Sequence, residues 1–177
     1  EQAERDARAA LAFYNGRPET DPVHDDFYVA AANFVVAECT REHANTIQLT
    51  QDTVEVQRVE LEHHAQLLLE AQREYFNTIR LGNAHWAAAA GYRVGQMYDE
   101  FWGVITAAPV PPRPDLSPEL YRVFGDEYHR KLREMVEPLL RHAISYWEMT
   151  LLMVERTGVR NEWVDRTRED LDRVRAE

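Results

Sequence analysis

Between Val23 and Leu81 the chain has no glycine and no proline, and Pro22 and Gly82 close the gap at either end. Helix interiors exclude both residues, whereas loops and strand corners collect them. That stretch is therefore one very long helix or an antiparallel pair joined by a tight polar turn. Cysteine is nearly absent as well. Cys39 stands alone, which excludes an internal disulfide and a thiolate metal centre. It follows Val35, Val36 and Ala37, where a small buried residue fits. One free thiol suits the cytosol and leaves the periplasm open. Lys131 is the only lysine among 20 basic residues, so lysine-based catalysis has a single possible position; the skew toward arginine suggests a high-GC genome. No apolar run approaches the roughly 20 residues that span a bilayer. There is no signal-peptide pattern and no initiating Met, and Glu1-Gln2-Ala3-Glu4-Arg5 reads as mid-helix, so a piece of a longer protein is expected.

What the chain does contain is a normal globular mixture. A length of 177 residues suits a single domain spanning 1–177, and a hydrophobic share of 45% supports a real core. The net charge of -11 argues against nucleic acid and anionic membrane as primary partners. Acidity is concentrated early: residues 1–81 carry 15 acids and 7 bases, residues 82–177 carry 16 and 13. A solvated acidic face explains this; docking of a basic partner is the alternative.

Helices can be placed along almost the whole chain. Ala7, Ala10, Leu11 and Tyr14 give the first one an apolar side, closed by Asn15-Gly16. Asp21-Pro22 supplies a cap and a first-turn proline for the second, striped by Phe27, Ala31, Phe34 and Val35. The long run is expected to turn at Leu49-Thr50-Gln51-Asp52. Beyond it Val54, Leu61, Leu68 and Tyr75 recur every seven residues, widened by Ala65, Ala71, Phe76 and Ile79, for a helix of about eight turns. Gly82 closes this helix and Asn83 opens the next, which forces an antiparallel neighbour from about Ala84 to Ala107. Its Gly91, Gly95 and Gly103 are expected at close helix approaches, since each costs about 1 kcal/mol relative to alanine in a helix. Pro109, Pro111, Pro112, Pro114 and Pro118 mark a stiff linker near 108–118, read as a spacer, with a PxxP-type ligand as the alternative. Ser117-Pro118-Glu119 then starts a helix that Pro138 kinks or splits and Gly158 ends. Asn161 caps a final helix with Val164, Thr167, Leu171 and Val174 turned inward. The fold class expected is all-α.

Catalytic chemistry finds little support. Glu60 and His63 have ExxH spacing, and Asp126 with His129 is an imperfect second copy that Glu38, Glu42 or Glu100 would have to complete as a di-iron-like bundle. His64 and Glu62 make that turn simply polar, His24 and His43 read as surface residues, His85 lies in a first helical turn, and His142 is placed beside Trp147. Ser117 is used as a cap and Ser145 lies in a helix, and no other serine exists. Cys39 and His43 face the same way, but the thiol reads as packing. Neither a Rossmann fingerprint nor a P-loop is present. Paired carboxylates such as Asp25-Asp26 and Glu60/Glu62 point apart on a helix and read as solubility. No catalytic, cofactor-binding or metal residue is assigned, and no cofactor is expected. Trp86, Tyr92, Tyr98, Phe101, Trp102, Tyr146 and Trp147 read as core, with exposure of several in a concave groove as the alternative that would anchor a partner.

Val94-Gly95-Gln96-Met97-Tyr98 has the small-then-aromatic spacing of the first helix of a tetratricopeptide repeat, and Ala143 with Trp147 fits the second. Thr150 stands where a small residue is usual, a proline-rich linker replaces the tight turn, and helix 50–81 is too long for a 34-residue repeat. The order of Glu70-Ala71-Gln72-Arg73-Glu74-Tyr75-Phe76, Ile79-Arg80-Leu81-Gly82-Asn83, Trp86, Tyr92 to Tyr98, Ala108-Pro109-Val110-Pro111, Gly158 and Asn161-Glu162-Trp163 resembles the C-terminal region of tetratricopeptide-type proteins from deltaproteobacteria and myxobacteria. The resemblance covers about residues 25–175. It implies a stack of antiparallel helical hairpins, about six helices in an α-solenoid, acting as a non-enzymatic scaffold for other proteins. It also implies a periplasmic or cell-envelope setting such as gliding-motility machinery, with any membrane contact made by parts outside these residues or by partners. Two alternatives remain at this point: a metal-binding helical bundle, and a self-association module pairing through the stripe on helix 50–81.

Overall fold

A computed structural model describes residues 1–18, 26–50 and 53–176. Among them the regular elements are six helices and no strand: α1 Gln2–Asn15, α2 Phe27–Asn45, α3 Val54–Arg80, α4 Ala84–Thr106, α5 Pro118–Thr157 and α6 Glu162–Ala176. The chain is all-α. The stretch without glycine and proline is a helical pair, with α2 ending at Asn45 and α3 starting behind Thr53, whose hydroxyl accepts from the Val56 N–H. Asp21-Pro22, His24 and Asp25 lie outside the described residues, as do Gln51 and Asp52 of the expected turn.

Local chemistry accounts for most helix ends. Side-chain oxygens of Asn83, Ser117 and Asn161 accept from the N–H groups of Trp86, Leu120 and Val164 at 3.2, 3.3 and 3.1 Å, which satisfies first-turn donors otherwise left open. Gly82 and Gly158 adopt left-handed φ values of 81° and 68° after α3 and α5. A side chain added at Gly158 would meet open space, so Gly158→Ala reports the backbone cost alone. It is expected to lower stability by about 1 kcal/mol in urea denaturation.

The helices form two layers. In one, α2, α4 and α6 run side by side and parallel, joined by Arg41 to Glu100 at 3.0 Å, Phe34 against Trp86, and Tyr92 OH donating to Asp170 at 2.9 Å. On the other side α3 packs on α2 and α4, and α5 packs on α4 and α6, while α1 packs on α2. The helices α4 and α5 cross closely. A Cβ at Gly95 would lie 2.6 Å from Cε2 of Trp147, and one at Gly91 would lie 3.1 Å from Cβ of Thr150. Both glycines serve a close approach, as expected. Gly103 does not, because nothing lies within 4 Å of its missing Cβ.

Two further expectations need correction and one gains detail. The helix α5 is not split at Pro138 but runs on through it; Pro138 lies on the solvent face, so the backbone bond that proline forfeits is lost on the wet side. The proline-rich segment, expected as a stiff linker, is strapped against α3 and α5: Pro111 is buried, and Gln57 Nε2, Tyr121 OH and His129 Nε2 contact the carbonyls of Pro109, Val110 and Ala108 at 2.7, 3.2 and 3.0 Å. The third concerns α3. Leu68 and Tyr75 of its seven-residue stripe are buried, but Val54 is 51% exposed, and Gln57 and His64 are buried instead. Gln57 faces inward because the strap offers carbonyls, which need a donor. Its Oε1 accepts from Tyr128 OH at 2.7 Å, so its amide is used at both ends. With Leu68 and Tyr75 spent inside the chain, the stripe keeps little face for a second copy.

Candidate functional site

Several of the histidines and acids weighed for metal are engaged elsewhere. Glu60 accepts from the backbone N–H and hydroxyl of Thr50 at 2.9 and 2.7 Å, and His129 contacts the Ala108 carbonyl. His63 and Asp126 are exposed. Among the described residues no group of three or more His, Cys, Asp or Glu side chains converges on one point. Glu38 and Glu100 belong instead to a buried ion network joining α2, α3 and α4. Arg41, only 6% exposed, pairs with Glu100 at 3.0 Å, Glu42 at 2.6 Å and Glu38 at 3.6 Å. Arg93 reaches the other oxygen of Glu38 at 2.9 Å and lies 5.1 Å from the Trp163 ring centroid. Tyr75 donates its hydroxyl to Glu38, and burial, followed by that carboxylate, pushes its pKa far up. Burial also raises the Glu100 carboxyl, with Arg41 pulling the other way. Every charge has an opposite neighbour and the cluster presents no nucleophile, so it acts as a clamp.

His64 was expected on a polar turn and is instead 1% exposed, with its ring 4.9 Å from that of Phe101 and Nδ1 without a hydrogen-bond partner among the described residues. Burial, then the neighbouring charge of His63, lowers its pKa below the ordinary 6.5. Glu100 of α4 lines the same small cavity as His64. Because the folded pKa is the lower one, the unfolded chain binds more protons as pH falls through 6.5, and stability present above that value is lost below it. Urea midpoints should therefore drop from about pH 8 to about pH 5, and His64→Gln should reduce that drop. An unchanged slope in the variant would assign the acid loss to other groups.

The remaining feature is a cleft. The α3 and α5 helices stand on either side of α4, and Ala87, Gly91 and Val94 give α4 a floor of little side-chain height. The walls are taller. Phe76 and Ile79 of α3 face Tyr146, Met149 and Met153 of α5 across a cavity of about 580 Å³, with Arg80 and His142 as its polar edges. Further along the same seam a smaller cavity of about 150 Å³ lies between Leu68 and Leu69 of α3, Met97 and Phe101 of α4, and Leu139 of α5. A bridge separates the two. Gln72 Nε2 donates to Tyr98 OH at 3.1 Å and to Tyr146 OH at 3.0 Å, and the two tyrosine rings stack with centroids 5.6 Å apart. This bridge fixes how far apart α3 and α5 stand.

The aromatic residues expected as core divide unequally. Trp147 is fully buried and donates Nε1 to the Tyr92 carbonyl at 3.0 Å, and Tyr92 is buried with it. Tyr98, Phe101 and Tyr146 reach the cleft, while Trp86 and Trp102 are half-buried in other contacts. His142 lies against Tyr98, with ring centroids 5.4 Å apart and the planes tilted by 36°. Sequence reasoning missed Met149, Met153, Phe76 and Ile79 as a set. Along the sequence Phe76 and Ile79 read only as part of the α3 face and the two methionines are not singled out, and only the splay of α3 from α5 brings the four together. Spacings of four on α5 and three on α3 were the available signal. No family model, curated protein or solved structure matches this chain.

Proposed function

We propose that this chain is a non-enzymatic protein–protein interaction module, and that its docking site is the cleft between α3 and α5. One observation carries the reading: an open cavity of about 580 Å³ with apolar walls, in which Met149 remains 60% exposed at the rim. Large apolar side chains at a concave surface mark interaction sites, and flexible methionines adapt to a partner's shape. The layered stack of long helices supports the scaffold role, since such stacks expose long surfaces rather than one sealed active site. The cell-envelope setting, with gliding-motility machinery as its example, rests on the resemblance of the ordered sequence blocks.

The test is site-specific photocross-linking in cells of the source organism. A photoreactive phenylalanine analogue at Ser145, an exposed residue lining the cleft, should give a reproducible adduct that Met149→Asp removes. The same analogue at Arg122, on the distant N-terminal half of α5, serves as the control. Adducts that form equally from both positions, or that survive Met149→Asp, contradict a docking role for the cleft.

A further inference from the structure

We infer that the occupant of this cleft is an amphipathic helix of a partner protein, carrying an acidic residue that pairs with Arg80; this rests on reading the cleft as the docking site. The walls decide the conformation. Both are helices, so their backbone N–H and C=O groups are already paired within α3 and α5. An extended peptide laid between them would find no main-chain partner and would leave its own polar backbone unsatisfied against apolar side chains. A helix brings its backbone bonds with it. Its side chains also repeat at the three- and four-residue spacing of Phe76, Ile79, Tyr146, Met149 and Met153, so ridges fit the gaps between them. From Ala65 to Arg80 the seam runs about 22 Å, enough for roughly four turns of a second helix.

Charge gives the partner its polarity. The chain carries 31 acidic residues, yet no carboxylate lines either cavity of the seam. Arg80 is the one permanently charged group there, at the end where α3 stops. Its Nη1 donates to Asn77 Oδ1 at 3.1 Å, and it makes no ion pair with another described residue. A carboxylate on the partner helix therefore meets an unpaired guanidinium at this end and an apolar surface along the rest. A basic helix would find cationic repulsion here and no acid to offset it.

The experiment is a display selection from a library of helix-forming peptides about four turns long, with apolar and charged positions varied. Three baits are used: the chain itself, Arg80→Glu and Met149→Asp. Circular dichroism confirms that the variants, both at exposed positions, fold like the parent. Peptides selected by the parent chain should share apolar residues at helical spacing and an Asp or Glu at one end. Their affinity should fall at least about tenfold on Arg80→Glu, because attraction becomes like-charge repulsion. Reselection on Arg80→Glu should exchange that acid for Lys or Arg. Peptides lost on Met149→Asp but equally bound by Arg80→Glu would overturn the acidic partner and leave the cleft standing. Proline-rich or extended binders would overturn the helix. If no selected peptide depends on Met149, the docking reading itself fails together with this one.

Discussion

Gly95→Leu is expected to cost about 3 kcal/mol or more of folding stability, among the largest losses available to a single substitution in this chain. The reason is local and steric. The first carbon of any side chain there falls within 2.6 Å of Trp147 Cε2, and the indole has no room to retreat because it is fully buried. Moving it also breaks the bond from Nε1 to the Tyr92 carbonyl, leaving the buried indole N–H donor open at a cost of about 1–3 kcal/mol. Gly95→Ala should already lose about 2 kcal/mol. Gly103 is the matched control, on the same helix with open space around it. Gly103→Ala should be neutral or stabilising by up to about 1 kcal/mol, since alanine is the better helix former. Urea denaturation of the three variants reads all of this directly. Equal midpoints for Gly95→Ala and Gly103→Ala would mean that α4 and α5 do not cross tightly at Gly95.

Glu38→Ala is expected to destabilise by about 3 kcal/mol. Glu38 is the shared acceptor of Tyr75, Arg41 and Arg93, and without it two largely buried guanidiniums lose a common counter-charge. Arg41 keeps Glu100 and Glu42, but Arg93, among the described residues, is left with Gln96 at 2.6 Å, the ring faces of Tyr92 and Trp163 and the longer-range charge of Glu100. The comparison is Glu42→Ala. Its carboxylate touches the same Arg41 but is 66% exposed, so the loss should stay below about 1 kcal/mol. A Glu38→Ala variant no less stable than Glu42→Ala would show that the network does not clamp α2, α3 and α4 together.

Helix content and helix ends were readable from short segments, because caps and closures act within a few residues. Ser117-Pro118, Asn161 and Gly158 each announce a boundary through local hydrogen bonding or a left-handed turn. The inward face of α6, Val164 with Thr167, Leu171 and Val174, was readable for the same reason: one helix face with apolar spacing. The inward face of α3 was not. Gln57 and His64 point inward because of what approaches from elsewhere, the strap carbonyls in one case and Phe101 in the other. A periodicity of apolar residues cannot report a polar residue buried by a distant partner. The ion network has the same origin, with residues 38, 41, 75, 93 and 100 meeting only after three helices have packed. The small-and-aromatic pattern of Gly95, Ala143 and Trp147 did indicate a tight helix contact, and the α4–α5 crossing is where it occurs. The cleft required one further fact, the separation of α3 from α5, and that separation is set by the bridge from Gln72 to Tyr98 and Tyr146.

The central claim, that the cleft is where a partner docks, is tested most directly by the methionine methyl groups. The chain has four methionines: Met149 and Met153 line the larger cavity, Met97 lines the smaller one, and Met135 is exposed on α5 outside both. Titrating a peptide from the display selection into methyl-labelled chain and following the four resonances separates the possibilities. Docking in the cleft predicts large shifts for Met149 and Met153 and none for Met135. A bound peptide that moves Met135 while leaving Met149 and Met153 in place would contradict the account.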